Sequence, residues 1–452
     1  MPGLTSELAS FVCDAQFPDL PARAVEIVQS GFSDTIGTMI AGRDEPVVRI
    51  ARQFVAARGS SVAEASLVLG GDKAASADAA LVNGAAGHAL DFDDVALGGH
   101  PSTVLVPAVL AESERLGASG QEALIAYLVG YEVWAELFVR DQDAYHLKGW
   151  HPTAVLGTVG AAAAVARLNR LSLQQTSHAI ALAASMAAGL VANFGTMTKP
   201  LHAGRAAAGG IDAVRFAMAG LTAAPDAIEH HAGYLAALSP AGRVDRASPA
   251  SELGRKLRVL DYGLSIKKYP TCYATHRVID GVLDIARNRG LRAGDVREVR
   301  ARIGVAQASM LRNHAPVTGL EAKFSLEFAV ASALVAGKVG LSELTDGFVN
   351  QPPVREAMGK VQITTVDSQC PIEPVFSMHD SVQIVLNDGA TLDSGEIRFA
   401  RGNAMAPLKG DDLRSKFLDC TSGVPGVDGE ALYAKLTNLR SLPSMAALGQ
   451  SA

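Results

Sequence analysis

Roughly the first 260 residues of this 452-residue chain repeat apolar residues at steps of three and four, with alanine and glycine at many of the apolar positions. This period places apolar side chains on one face of an α-helix, and small side chains on that face let two helix axes approach closely. The pattern is clearest in three segments: 22–42, 122–140 and 204–220. Two capping boxes, Ser119-Gly-Gln-Glu122 and Ser172-Leu-Gln-Gln175, support two helix starts. The pattern predicts a large domain of closely packed helices.

The pattern changes after Pro270. Alternating apolar and polar residues predict strands in three segments: 296–305, 361–366 and 381–397. The last segment contains Asn387-Asp388-Gly389, which is typical of a tight hairpin turn. A helix is predicted at 323–337, and helical spacing returns after about residue 400. We therefore predict a mainly α protein, with an all-helical body formed by 1–264 and 401–452 and a smaller α+β lid domain at 265–400.

Charge and hydropathy exclude several classes of partner. The 40 basic and 46 acidic residues form no long run of one sign, so no nucleic-acid surface is expected. The longest apolar stretch, 179–192, has fourteen residues, fewer than the roughly 18 to 20 needed to cross a membrane. The four cysteines are far apart, and Glu7 and Asp14 lie where a signal peptide would be basic and then apolar. We expect a soluble cytoplasmic protein with reduced thiols.

Four stretches carry ionisable residues between small-residue helices: 88–102, 144–155, 197–207 and 265–277. Each also has a purely structural explanation. Asp93 and Asp94 are plausible helix caps, and the His-Pro pairs at His100 and His151 are plausible helix starts, while the lysines are plausible surface residues. Two His-Pro motifs, each followed by a small-residue helix, favour a functional interpretation, because helix N-termini attract anions.

Metal and nucleotide chemistry find little support in the motifs. His88, Asp91 and His100 offer nitrogen and oxygen ligands, but no His-x-x-x-His or Glu-x-x-His pairing is present. Nucleophile-elbow, phosphate-loop and dinucleotide-binding motifs are also missing. We therefore expect neither a metal nor a cofactor. Lysine, histidine, aspartate and tyrosine together suit proton transfer at a carbon atom of an anionic small molecule.

Six motifs, in this order, resemble the MmgE/PrpD family: NGAAGHALDFDD, GHPS, GWHPTAVLGTVGAAAA, TKPLHAGRAA, KKYPTCYATH and EAKFSLEFAVA. The resemblance covers about residues 5 to 420. It implies a large helical domain with a smaller α+β lid, a homodimer, and an active site that requires no cofactor. The activities of the family include 2-methylcitrate dehydration, cis-aconitate decarboxylation and iminodisuccinate epimerisation.

The resemblance places the family's acid–base and substrate-binding groups on particular residues of this chain. Together with Tyr145, which precedes His151 by six residues, the predicted catalytic residues are Asp91, His100, Tyr145, His151 and Lys267. The predicted substrate-binding residues are Lys199, His202, Lys268 and Cys272. Asp93 and Asp94 are expected to hold the loop, and the ligand is expected to be a small polycarboxylate.

Two departures from the family motifs bear on the reaction. Val95 stands where many decarboxylase- and dehydratase-like members carry threonine, and Cys272 stands where the decarboxylase-like motif has histidine. These departures favour epimerisation of an iminodisuccinate-like substrate. The alternatives are a 2-methylcitrate-type dehydratase, a cis-aconitate-type decarboxylase, and a catalytically silent polycarboxylate-binding protein.

Overall fold

The computed structural model describes residues 3–17, 20–59, 61–141, 143–373 and 375–449. The chain divides into two compact units, 1–266 together with 409–452, and 267–408. The second unit thus begins after residue 266 and ends at residue 408, whereas the sequence predicts a domain that begins after residue 264 and ends at residue 400. The described chain is mainly α-helical, as the apolar periodicity indicates. Among the described residues, no helix is both long enough and apolar enough to cross a membrane.

Helices α1–α11 belong to the first unit: α1 Leu4–Asp14, α2 Ala22–Gly42, α3 Pro46–Ala57, α4 Ser76–Ala89, α5 Ser102–Leu116, α6 Gly120–Val139, α7 Pro152–Leu168, α8 Leu173–Met186, α9 Thr198–Met218, α10 Tyr234–Leu238 and α11 Arg258–Tyr262. Two short paired strands, β1 Ala65–Ser66 and β2 Lys73–Ala74, precede α4. Both predicted capping boxes form, one at the start of α6 and one at the start of α8. Both thus satisfy backbone N–H groups that a helix start leaves without a partner.

Glycines bring the central helices of the first unit into close contact. A Cβ on Gly84 of α4 would lie 2.8 Å from the Cα of Gly204 in α9, and a Cβ on Gly210 would lie 2.5 Å from the Cβ of Ala161 in α7. Both distances are shorter than ordinary carbon contacts. This close approach brings the end of α4 and the starts of α7 and α9 to one place. The predicted role of the small residues therefore agrees with the helix contacts.

The second unit contains a four-stranded sheet and six helices among its described residues. The strands are β3 Val296–Gly304, β4 Val361–Val366, β5 Ser381–Leu386 and β6 Thr391–Asp393, in the order β4-β3-β5-β6. Strand β3 pairs parallel to β4 and antiparallel to β5. The helices are α12 His276–Arg289, α13 Val305–Met310, α14 Gly319–Ala322, α15 Leu326–Val335, α16 Asp346–Val349 and α17 Pro352–Met358. The apolar core of this unit includes Val278, Val299, Val330 and Ile384.

The last two helices, α18 Gly410–Thr421 and α19 Gly429–Thr437, return to the first unit. Helix α18 lies against α2, where a Cβ on Gly37 would come within 3.1 Å of the Phe417 ring. Phe417 is buried, and so are Leu413 and Cys420 on the same helix. The first unit is therefore built from two segments that are separated in the chain by the whole second unit.

Candidate active site

The loop of residues 90–101 connects α4 to α5 and begins in an unusual backbone conformation. Asp91 has a φ of 53°, in the left-handed region that residues with a side chain seldom adopt. Further along, Ala96 and Gly99 exchange two backbone hydrogen bonds in a tight turn. The backbone N–H of His100 then donates to the Thr153 hydroxyl at 3.1 Å, which ties the loop to the start of α7.

Asp93 lies between two histidines from the two ends of this loop. Its carboxylate is 2.9 Å from Nδ1 of His88, the next-to-last residue of α4, and 2.9 Å from Nδ1 of His100. The Asp93 and His88 side chains are fully buried, and the His100 side chain is 12% exposed. His100 Nδ1 also lies 2.8 Å from the Asp94 backbone carbonyl. Since a carbonyl only accepts, His100 carries a proton on Nδ1, which leaves its Nε2 for chemistry.

Asp94 holds the other side of the loop. Its carboxyl group accepts hydrogen bonds from the Ser102 hydroxyl and, at 3.3 Å, from the Ser102 backbone N–H at the start of α5. The Ser102 hydroxyl lies 2.6 Å from the Tyr127 hydroxyl. Burial, together with the nearby carboxylate of Asp34, raises the pKa of Asp94 well above its ordinary value. Asp94 thus anchors the loop, as Asp93 does, but its raised pKa favours the neutral carboxylic acid.

Lys199, in the first turn of α9, forms an ion pair with Asp91, the residue in the left-handed conformation. Its Nζ lies 2.7 Å from Oδ1 of Asp91, and both side chains are 17% exposed. The ammonium group also lies 5.6 Å from the centre of the Phe194 ring, within the range of a cation–π contact. A charged pair that is mostly, but not completely, removed from water is suited to contact a small charged ligand.

Four imidazole rings, here called the histidine cluster, gather beside this pair: His88, His100, His151 and His202. The ring centres of His88 and His100 are 4.4 Å apart, and those of His88 and His151 are 6.1 Å apart. Nδ1 of His151 lies 3.1 Å from Nδ1 of His202, so one of these nitrogens donates and the other accepts. His151 also packs edge-on against Phe194, with the ring centres 4.8 Å apart.

The buried members of the histidine cluster are held neutral. Burial, opposed only in part by Asp93, lowers the pKa of His88 to about 4. Burial and the charges of His88 and Lys199 lower the pKa of His151 far below its ordinary value. Although burial alone would raise the pKa of Asp93, the two imidazoles beside it hold that pKa well below the ordinary value. Asp93 therefore stays ionised and directs its negative charge at His88 and His100.

We expect the first unit to lose stability as the pH falls from about 6.5 to about 4. His88 takes up a proton near pH 6.5 in the unfolded chain but only near pH 4 in the fold, so protons favour unfolding across this window. His88 alone should account for about 3 kcal/mol of this loss, because each unit of pKa shift corresponds to about 1.4 kcal/mol, and the lowered pKa of His151 should add to it.

Tryptophan fluorescence during urea unfolding measures this stability, since both tryptophans, Trp134 and Trp150, lie in the first unit. A His88→Asn variant serves as the control and should lose less stability than wild type over the same pH range. An unfolding free energy that stays constant from pH 7 to pH 4 would contradict the prediction.

His88, Asp93 and His100 also form a set of potential metal ligands, with one ligand atom from each lying within 4.8 Å of the others. Nδ1 of His88 lies 2.9 Å from the Asp93 carboxylate, and so does Nδ1 of His100. That nitrogen faces the Asp94 carbonyl at 2.8 Å and is therefore protonated. The arrangement fits a carboxylate that orients two imidazoles better than a metal centre.

The remaining predicted residues are Tyr145, Lys267, Lys268 and Cys272. The Tyr145 hydroxyl donates to the Leu137 carbonyl at 3.1 Å, and burial, followed by the charge of Asp141, raises its pKa, so this geometry argues against an acid–base role. Lys267, Lys268 and Cys272 belong to the second unit, where Lys267 and Cys272 are buried. Their roles in the reaction stay predictions from the family resemblance.

The structure adds two residues to those predicted from sequence. His88 stands in the first polar stretch, where the sequence suggests it only as a possible metal ligand, although its position five residues before Asp93 is a visible signal. Phe194 packs against His151 and faces Lys199. A single aromatic residue in a loop carries no sequence pattern that would predict these contacts. His202, which the sequence predicts to bind substrate, contacts His151, and its role in binding stays a prediction.

Comparison with known proteins gives consistent matches along the chain. Residues 6–247 match the MmgE/PrpD N-terminal domain, and residues 269–436 match the MmgE/PrpD C-terminal domain. The cis-aconitate decarboxylase of Homo sapiens is 29% identical, over 98% of this chain and 93% of its own length. That of Mus musculus is 32% identical, over 75% of this chain and 70% of its own. That of Aspergillus terreus is 24% identical, over 79% of this chain and 78% of its own length.

Proposed function

The chain belongs to the MmgE/PrpD family, and from this premise we propose that it is an enzyme that removes carbon dioxide from cis-aconitate or a closely similar small polycarboxylate. The decarboxylase alternative is thus better supported than the epimerisation favoured by Val95 and Cys272. The lyase class replaces the isomerase class as our proposal, because three decarboxylases from different organisms match most of the chain.

The observation that carries the proposal is the contact between Lys199 and Asp91 beside the histidine cluster. A fixed ammonium group attracts a substrate carboxylate, and its low exposure strengthens the attraction. The adjacent imidazoles can supply a proton within a few ångströms of the bound anion. One site thus provides both the anion binding and the proton that a decarboxylation requires.

The proposed reaction begins with loss of carbon dioxide from the carboxylate on the methylene carbon of cis-aconitate. The electron pair of the broken carbon–carbon bond moves into the allylic system, where the carboxylate on the far carbon of the original alkene delocalises it as an enolate. Lys199 balances this negative charge, which grows as the bond breaks and is therefore stabilised most in the transition state. Protonation at the carbon next to that carboxylate gives methylenesuccinate and completes the balance of atoms and charge.

We propose His100 as the proton donor. His88 and His151 have lowered pKa values and stay neutral, so neither is present as an imidazolium that could donate a proton near neutral pH. His100 instead lies 2.9 Å from Asp93 through its Nδ1, has a partly exposed side chain, and keeps Nε2 for contact with the substrate. In this scheme His151 packs against the substrate as a neutral ring, and His202 holds His151 in one orientation through the contact between their Nδ1 atoms.

Incubation of the purified protein with cis-aconitate in deuterated water tests the proposal. We expect release of carbon dioxide and formation of methylenesuccinate that carries one solvent deuterium next to a carboxylate. Parallel incubations with 2-methylcitrate and an iminodisuccinate separate the alternatives. Dehydration forms an alkene without carbon dioxide, and epimerisation exchanges the α-proton without either product.

A His100→Gln variant tests the proposed proton donor, since it keeps a polar side chain but removes the imidazole. Equal carbon dioxide release by wild type and this variant would contradict the proposed role of His100. Absence of carbon dioxide release by wild type would contradict decarboxylation. Binding of all three acids without any turnover would favour the silent binding protein. The homodimer and the cytoplasmic location that the sequence suggests also remain predictions. Light scattering in solution would check the homodimer.

A further inference from the structure

The backbone at Asp91 needs an external support. A residue with a side chain in the left-handed region costs about 1–3 kcal/mol and persists only where its surroundings hold it there. Asp91 adopts this conformation directly after α4 ends, and the conformation aims its carboxylate at Lys199. The carbonyl of the next residue, Phe92, is therefore a natural point at which a restraint on Asp91 would act.

Lys416 of α18 makes that restraint, from a position 324 residues further along the chain. Its Nζ donates to the Phe92 carbonyl at 2.7 Å and lies 3.9 Å from the centre of the Phe92 ring. The same ammonium group forms an ion pair with Asp34 of α2 at 2.5 Å. The side chains of Lys416 and Asp34 are 4% and 0% exposed. Phe92 is thus held on both its carbonyl and its ring by one buried charge.

We propose that Lys416 is a positioning residue that fixes Asp91 in its left-handed conformation and thereby sets the contact between Asp91 and Lys199. Lys416 does not touch the histidine cluster through any contact described above, and it acts through the backbone of Phe92. The catalytic consequence rests on the proposed decarboxylation, whereas the structural consequence does not.

The energetics of burial support a specific role rather than a general contribution to stability. A lysine is almost never fully buried without a partner, and an apolar pair of similar size is often as stable as a buried ion pair. Packing between α18 and α2 is already provided by apolar residues such as Phe417 and Leu413. A buried ammonium group supplies something that these side chains lack, which is a donor aimed at one particular carbonyl.

The test compares wild type with a double variant, Lys416→Met combined with Asp34→Asn. Lys416→Met alone leaves a buried carboxylate without its counter-charge and is expected to lower the melting temperature strongly, whereas the double variant removes both charges together. We expect the double variant to regain most of that loss while kcat stays about ten- to a hundredfold below wild type, because small displacements of reacting groups are costly. KM should change far less than kcat, since Lys199 and the histidine cluster remain.

Lys435→Met is the matched control. Lys435 of α19 also donates its ammonium group to a backbone carbonyl, that of Ala447, at 2.7 Å, but it lies on a different helix and contacts no residue of the 90–101 loop through this bond. We expect this variant to keep the kcat of wild type. A double variant that regains both stability and kcat would show that Lys416 acts only on stability, and would overturn the proposal.

A crystal structure of the double variant separates this proposal from the proposed function. We expect Asp91 to leave the left-handed region and its carboxylate to move away from Lys199. Asp91 retained at positive φ, with the contact to Lys199 unchanged, would overturn the role of Lys416 whatever the turnover. If wild type does not release carbon dioxide from cis-aconitate, the proposed function fails, and the crystal structure still decides the role of Lys416.

Discussion

Replacing Asp93 by asparagine should lower kcat for cis-aconitate by about 10²- to 10⁴-fold, the range over which a positioned acid or base contributes to catalysis. The wild-type carboxylate accepts from Nδ1 of both His88 and His100. An amide offers one acceptor and one donor, so it can satisfy only one of these N–H groups and turns its own N–H toward the other ring. The variant also loses the negative charge that faces the His100 ring.

Carbon dioxide release measures the effect, and circular dichroism shows whether the variant is folded. Asp94→Asn is the paired comparison, because it makes the same substitution at the next residue. The raised pKa of Asp94 favours the neutral acid, which an amide imitates, so we expect a loss within about tenfold for one altered neutral hydrogen bond. A folded Asp93→Asn enzyme with the kcat of wild type would rule out Asp93 as the group that orients His100.

Replacing Lys199 by methionine should lower kcat/KM by about ten- to a hundredfold, which corresponds to about 1.5–3 kcal/mol for a hydrogen bond to a charged group. Methionine keeps much of the length and apolar volume of the side chain but removes the ammonium group that contacts Asp91 at 2.7 Å. The loss should appear in both constants, because the same charge attracts the substrate and balances the carbanion.

Steady-state kinetics of Lys199→Met should be set beside those of Lys148→Met. The Lys148 ammonium group donates to the backbone carbonyls of Ala237 and Ser239, and the residue is exposed. We expect Lys148→Met to stay within about threefold of wild type, as is usual for an exposed side chain. A Lys199→Met enzyme that retains the kcat/KM of wild type would remove Lys199 from the proposed mechanism.

The period of the apolar residues, helical or alternating, predicted the elements well where the chain pattern is regular. The segment 22–42 coincides with α2, and 361–366 coincides with β4. Helix α9 begins at Thr198 rather than at 204, because Pro200 lies in the first turn, where its missing N–H costs nothing. The helix predicted at 323–337 corresponds to α15, Leu326–Val335, which begins three residues later than predicted and follows the short helix α14. Ser325 lies between the two and caps α15 through the Phe328 N–H.

The site was less accessible to sequence reasoning. Motifs singled out Asp91, His100, His151 and Lys199, and the structure places them close together. The motif order could not reveal that Asp93 bridges two imidazoles, because that depends on the path of a twelve-residue loop with a left-handed residue at its start. Nor could it reveal Lys416, since a contact over 324 residues leaves no local pattern in the chain.

The separation of the first unit into two segments has a consequence for its synthesis on the ribosome. Residues 267–408 must be translated between the 90–101 loop and Lys416, which takes roughly 7 to 30 s at about 5–20 residues per second. During this interval the nascent chain lacks both α18, which packs against α2, and Lys416, whose ammonium group forms an ion pair with Asp34 in the fold. The part of α2 that Phe417 covers in the fold is thus exposed on the nascent first unit, which makes this interval the one in which a chaperone would have most to protect.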